Sequence, residues 1–159
     1  MRPPRIVLLA ALLSMIAAPA FADATLFIGT TTTPSTRAAK GFAIGAGLLI
    51  VGFEFEFAST SEEVEDAAPS LRTGMGNVYL QTPIAIAGFR PYLTTGAGLY
   101  RERLNDRQET SVGLNSGGGV KINLAGPLRA RVDYRVFNLR GDPLHSTVQR
   151  LYVGANLAF

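Results

Sequence analysis

The chain has no cysteine, no tryptophan and a single histidine among its 159 residues. The absence of cysteine excludes a disulfide scaffold, a thiolate metal site, a cysteine nucleophile and a lipobox-type lipid anchor. With His145 alone, there is no clustering of histidine, cysteine or methionine around which to build a metal site. No G-x-S-x-G nucleophile elbow occurs. Glycine pairs such as Gly45-x-Gly47 do not open a helix, so a dinucleotide fingerprint fails as well. Amphipathic helical periodicity is missing too. Seventeen glycines and nine prolines are scattered along the chain, and helix interiors tolerate neither residue well. The apolar run Ile6 to Ala18 is about 13 residues, short of the roughly 20 that a membrane-spanning helix needs.

That run instead has the order of an export signal. Arg2 and Arg5 make a basic start, Ile6 to Ala18 an apolar middle, and Pro19 breaks the segment before the small-x-small pattern Ala20-Phe21-Ala22. The alternative is a buried N-terminal helix. The expected division is a cleaved Sec-type signal peptide over residues 1–22 and a single domain over residues 23–159. Fifteen basic residues less Arg2 and Arg5 leave 13, against 12 acidic ones, so the mature charge is about +1. The high isoelectric point comes partly from the leader and gives no case for nucleic-acid binding.

Period-two alternation is what the remaining chain carries. In Val51 to Phe57, Val51, Phe53, Phe55 and Phe57 share one face and Gly52, Glu54 and Glu56 the other. In Leu128 to Val136, an apolar face of Leu128, Ala130, Val132, Tyr134 and Val136 backs a charged face of Arg129, Arg131, Asp133 and Arg135. A soluble sandwich turns its apolar face to the core and its charges to water. A transmembrane barrel does the reverse, apolar to lipid and charged to the lumen. Context favours the membrane. The final strand carries Leu151, Val153, Ala155, Leu157 and the terminal Phe159 on one face. Several strands reach ten residues, beyond the usual soluble length and suited to a tilted bilayer crossing.

Eight strands are expected: Ala24 to Thr32, Arg37 to Ala46, Leu49 to Thr60, Thr73 to Ile86, Arg90 to Arg103, Glu109 to Leu124, Leu128 to Leu139 and Ser146 to Phe159. Short turns are expected near Gly47, at Ala87-Gly88 and at Ala125-Gly126-Pro127. Longer polar loops are expected at Ser61 to Ser70, Leu104 to Gln108 and around Arg140-Gly141-Asp142-Pro143, with Thr30 to Thr36 fitting them loosely. Short turns at one end and long loops at the other match a barrel with both termini in the periplasm. Closure of the first strand on the eighth would remove the exposed edges of an open sheet.

Four segments carry a family resemblance: Gly45-Ala46-Gly47 with Gly52-Phe53-Glu54-Phe55-Glu56, Thr95 to Arg101, Gly117-Gly118-Gly119-Val120-Lys121, and Leu128 to Phe137. The chain resembles the eight-stranded outer-membrane β-barrel proteins of the OmpA/opacity type. That resemblance implies an all-β, antiparallel, up-and-down transmembrane barrel in the bacterial outer membrane. It also implies that Phe159, Leu157, Ala155, Val153 and Leu151 form a C-terminal signal read by the barrel-assembly machinery, with periplasmic chaperones on the route. Outer-membrane lipid and lipopolysaccharide are the other expected partners, with no nucleic acid, and a monomer is expected. No domain is expected after the barrel, and so no peptidoglycan-binding module. Without tryptophan, tyrosine and phenylalanine alone would form an aromatic belt.

With lipid outside, Glu54, Glu56, Lys121, Arg129, Arg131, Asp133 and Arg135 point inward. Eight strands leave an interior just wide enough for side chains, and unpaired ions there cost several kcal/mol. A structural plug of ion pairs is therefore favoured over a narrow gated ion path. Glycines 41, 45, 52, 96, 98, 117 and 119 fall on the same inward faces and could make room for those side chains or for a file of water. The acidic run Glu62, Glu63, Glu65 and Asp66 reads as a solvated loop face, with cation binding as the sharper alternative. Arg140-Gly141-Asp142 spells an adhesion tripeptide, but the following Pro143 points to ordinary turn chemistry. His145 and Ser146 are adjacent, so on a strand they face opposite ways, and the eighth strand offers no carboxylate to complete a triad.

No catalytic residue, metal site or cofactor is expected. The favoured function is a structural or surface-interaction role in the envelope. A low-conductance, porin-like permeability factor is the alternative. A lipid-modifying enzyme and a periplasmic lipophile-binding barrel are more distant ones.

Overall fold

The computed structural model describes residues 20–159. Eight antiparallel strands run β1 (Ala20–Thr31), β2 (Arg37–Leu48), β3 (Val51–Thr60), β4 (Ser70–Gln81), β5 (Phe89–Leu104), β6 (Arg107–Ala125), β7 (Leu128–Leu139) and β8 (Thr147–Ala158). Each pairs with its sequence neighbours, and β1 pairs with β8, so the sheet is a closed up-and-down barrel. The seam runs from Asp23 opposite Ala158 to Thr31 opposite Arg150. Reciprocal backbone bonds between Ala22 and Phe159 (3.0 and 2.9 Å) extend it by one rung. The leader expected over residues 1–22 lies outside the described residues, apart from its last three, which continue β1.

Alternation sets the two faces along every strand. β3, for instance, turns Gly52, Glu54 and Glu56 inward and Val51, Phe53, Phe55 and Phe57 outward. The outer surface is a wall of large apolar groups, among them Leu26, Ile28, Ile44, Phe53, Leu93, Leu99 and Val153, while the largest fully buried side chains are Arg131, Arg135 and Arg150. This polarity is inverted relative to a water-soluble protein and fits a barrel whose outside meets hydrocarbon. On β5 the outward positions from Pro91 to Leu99 are apolar except for Thr95 and cover roughly 26 Å of strand.

The connections differ from expectation in three places. The first turn on the side of the termini is Leu49-Ile50, not Gly47, which stays inside β2 opposite Gly52; Leu49 adopts a left-handed φ of 46°. β4 ends at Gln81 rather than Ile86, because Pro83 has no N–H to give the ladder. Residues 82–88 are therefore a seven-residue connection, closed by an Ile86–Phe89 hairpin whose Ala87 and Gly88 both have positive φ. The polar segment Leu104 to Gln108 is instead a two-residue turn, Asn105-Asp106, with Asn105 taking the positive φ of 52°. β5 and β6 thus become the longest strands, at 16 and 19 residues.

The other loops are organised rather than extended. Residues 61–69 form a small hairpin in which Glu63 and Ala68 exchange two 2.9 Å backbone bonds. Arg37 ties it down by donating to the carbonyls of Thr33, Ser61 and Pro69. In residues 140–146, Tyr100 donates to the Arg140 carbonyl (2.6 Å), Glu102 accepts from the Leu144 N–H (2.8 Å) and Arg107 pairs with Asp142 (3.0 Å). Asp142 of the Arg-Gly-Asp tripeptide stays exposed, with Arg107 as its ion-pair partner.

Inward glycines let the wall curl. A Cβ on Gly98 would lie 2.0 Å from the Gly74 carbonyl oxygen, and one on Gly52 would lie 2.1 Å from the Tyr79 ring. Both are impossible approaches without displacement.

Candidate functional site

The most concentrated chemistry is in the lumen. Four carboxylates (Asp23, Glu54, Glu56, Asp133) meet four cations (Lys121, Arg131, Arg135, Arg150), all buried. Arg131 grips both oxygens of Glu54, Nη2 to Oε1 at 3.1 Å and Nη1 to Oε2, and also reaches Asp133 (3.0 Å). Arg135 donates to Glu54 (2.8 Å) and to Asp133 from Nε (2.9 Å), and its Nη1 lies 2.9 Å from Glu56 without hydrogen-bond alignment. Arg150 reaches the other oxygen of Glu56 at 3.2 Å and lies 4.4 Å above the Phe137 ring. Lys121 pairs with Asp23 at 2.5 Å, over the Tyr79 ring.

Apart from the bonds to Asp133, which stay within β7, these pairs link strands that are not neighbours. Glu54 and Glu56 on β3 hold Arg131 and Arg135 on β7, which stands diametrically opposite in an eight-strand ring. Asp23 on β1 holds Lys121 on β6, and Glu56 holds Arg150 on β8. The ion pairs therefore act as struts across the barrel. Charge neutrality and multiple bonds per ion offset the desolvation cost that a lone buried charge would leave.

Hydroxyls and amides complete the packing. Tyr92 accepts from Arg131 Nε (2.7 Å) and donates to Asp133. Tyr152 donates to Glu56 (3.3 Å) and stacks on Phe27 at 4.0 Å. Asn156 bonds Thr25 (2.9 Å), and Asn115 bonds Asn77 (2.8 Å). Towards the end that holds the 61–69 and 140–146 loops, Leu71, Met75, Tyr100, Phe137, Leu139 and Val148 form an apolar layer above the charges. Any ion leaving the charged layer on that side would have to cross it.

Of the seven charges expected inside, Glu54, Glu56, Lys121, Arg131, Asp133 and Arg135 meet in this network. Arg129 sits half-buried at the mouth that holds the chain termini and forms no ion pair among the described residues. Leu151, Val153, Ala155 and Leu157 face outward along β8, and Phe159, just past its end, is exposed too. Sequence reading did not assign Asp23, Arg150 and the tyrosines to the network. Tyr79, Tyr92, Tyr100 and Tyr152 are all buried inward, so of the five tyrosines only Tyr134 adds to an outer aromatic belt, which is otherwise phenylalanine. For most of them the signal was available in the alternation: Asp23, Tyr92, Tyr100, Arg150 and Tyr152 share the inward parity of a glycine or charge on their own strand. β4 instead holds its glycines and Arg72 on the outward parity, and so gave no such sign for Tyr79. His145 lies half-buried in the 140–146 loop, off the strands altogether.

No family model matches the chain, and no curated protein matches its sequence. Solved structures do match in shape. Neisserial surface protein A (NspA) superposes with a TM-score of 0.70 at 14% identity, covering 88% of this chain and 97% of that one. The N-terminal β-barrel domain of Pseudomonas aeruginosa OprF gives 0.65 at 17% identity, with 87% and 97% covered. The outer membrane enzyme PagL gives 0.56 at 11% identity, with 85% and 98% covered. At these identities the likeness is one of fold. The chain has the eight-stranded barrel fold of outer-membrane proteins, of the kind found in OmpA/opacity-type barrels.

Proposed function

We propose that this protein is an integral outer-membrane barrel with a structural or surface-interaction role, neither a pore nor an enzyme. The observation that carries the reading is the filled lumen: four cations neutralised by four carboxylates, three of which (Asp23, Glu54 and Glu56) brace across the barrel, beneath an apolar layer of Leu71, Met75, Tyr100, Phe137, Leu139 and Val148. Eight strands give an interior that side chains can fill, and here they fill it. With the interior committed to bracing, the surfaces left for interaction are the lipid-facing wall and the extracellular loops.

Single-channel recording on the purified barrel in a planar bilayer tests this. The expected record is electrically silent at applied potentials that leave the bilayer intact. Discrete openings whose ion selectivity changes in Glu54→Ala or Arg131→Ala would replace the reading with that of a low-conductance pore. In the cell, deletion should raise sensitivity to detergent or serum while leaving uptake of small solutes unchanged.

A further inference from the structure

Beyond the lumen, the outer wall carries one unusual concentration of charge. Arg72 on β4 and Arg101 on β5 are cross-strand partners, and Arg103 follows two residues along β5, opposite Ser70. All three point outward and are exposed. They line a shallow recess of about 210 Å³ together with Ser70, Gln108 and Glu62.

Their position relative to the hydrocarbon belt is set by register. The rung containing Arg72 and Arg101 continues to Ser59 on β3 and Lys40 on β2. The next outward rung towards the periplasm is apolar: Phe42, Phe57, Gly74, Leu99 and Val112. The arginines therefore begin where the apolar wall ends, on the side of the longer loops. Guanidinium heads there can reach the headgroup layer while their stems cover apolar surface.

They are also uncommitted. Among the described residues, none of the three has a carboxylate oxygen within ion-pair distance; the exposed pair in the region is Arg107 with Asp142. Arg101 Nε donates to Thr110 (3.2 Å) and Arg103 Nε to the Asn105 carbonyl (3.3 Å), which orients both and leaves their terminal nitrogens free of such partners. Glu62, the one carboxylate in the recess, accepts instead from the Asn105 N–H (2.9 Å).

Three unpaired guanidiniums crowded at the edge of a membrane repel one another unless an anion joins them. Guanidinium forks match phosphate oxygens bidentately. The outer leaflet of this membrane presents phosphorylated glycolipid, with acyl chains that would lie along the Phe57–Leu99 wall below. We propose that Arg72, Arg101 and Arg103 form a site for the phosphate of an outer-leaflet glycolipid, fixing one such lipid against β4 and β5. The proposal rests on the outer-membrane placement argued above, with the longer loops outside.

Binding is measured by native mass spectrometry on the full mature barrel in detergent, titrated with bisphosphorylated lipid A. Parallel titrations use the same glycolipid with its phosphates removed, and inorganic phosphate as competitor. Arg72→Gln/Arg101→Gln/Arg103→Gln is expected to lose affinity on the order of 100-fold, and Arg101→Gln alone about fivefold. Folding is checked by circular dichroism and by mobility on an unheated gel. If the triple variant does not fold, the single variant decides by the same criterion.

Dephosphorylated glycolipid is expected to bind the native protein as weakly as the phosphorylated lipid binds the triple variant. Equal binding by native and folded variant protein, or by phosphorylated and dephosphorylated lipid, overturns the site. Competition by inorganic phosphate at concentrations equal to the lipid overturns the glycolipid as occupant. Membrane fractionation of expressing cells tests the placement separately, because the detergent titration does not depend on it.

Discussion

Glu54 has a disproportionate share of the interior. Its two oxygens receive Arg131 and Arg135 at once, both from the opposite strand β7, and all three side chains are sealed from water. Removing one member of such a cluster leaves the others charged and underpaired, which costs about 3–5 kcal/mol. Glu54→Ala should therefore lower the stability of the barrel in lipid vesicles by about that amount, read as a shift in the urea midpoint followed by circular dichroism. A midpoint within error of native would mean that Asp133 and Glu56 alone can neutralise the two arginines. By contrast, the exposed Arg107–Asp142 pair is worth under about 1 kcal/mol.

At the scale of elements, turn chemistry departs most from convention at Leu49-Ile50. Two-residue hairpins with positive φ favour glycine or asparagine, yet Leu49 holds φ at 46° with an exposed side chain. A left-handed conformation costs a branched L-residue roughly 1–2 kcal/mol. Leu49→Asn should accordingly stabilise the barrel by about 1 kcal/mol in the same urea titration. Destabilisation instead would show that the leucine inserts into the membrane interface and gains more there than the turn loses. The Asn105-Asp106 turn already has asparagine at its positive-φ position, so the same substitution logic has nothing to add there.

For the whole molecule, closure decides how stability is distributed. β1 and β8 would be edge strands in an open sheet, but nine residue pairs from Asp23–Ala158 to Thr31–Arg150 join them. The cross-lumen struts connect β1 to β6 and β3 to β7 and β8. Hydrogen exchange should therefore protect amides in β1 and β8 as strongly as those in β4 and β5. Fast exchange should be confined to the unbonded, solvent-facing amides of the connections, residues 32–36, 61–69, 82–88 and 140–146 among them. Selective exchange along the β1–β8 seam would mean that the barrel breathes open at its closure.

Much of this was legible in the alternation of residues such as Val51 to Phe57 and Leu128 to Val136. Side chains two apart share a face, so inward and outward sets follow from local order alone. That determined the number of strands and which residues share a face. The strand lengths and the terminal strand ending in Phe159, not the alternation, pointed the apolar face outward and six of the charges into the lumen. Alternation did not determine where β4 stops or that Leu104 to Gln108 is a tight turn, because ladder pairing with the neighbouring strand overrides local polarity at element ends.

Nor did it say which charges meet. Glu54 and Arg131 are 77 residues apart, and only the closing of eight strands brings β3 opposite β7. The same closure turned four tyrosines from a supposed belt into lumen packing, and set Arg72 beside Arg101 on the outer rim. Strand alternation is a short-range property of the backbone, written into the sequence. Pairing across a barrel depends on register and closure, and these exist only once every strand has found both of its neighbours.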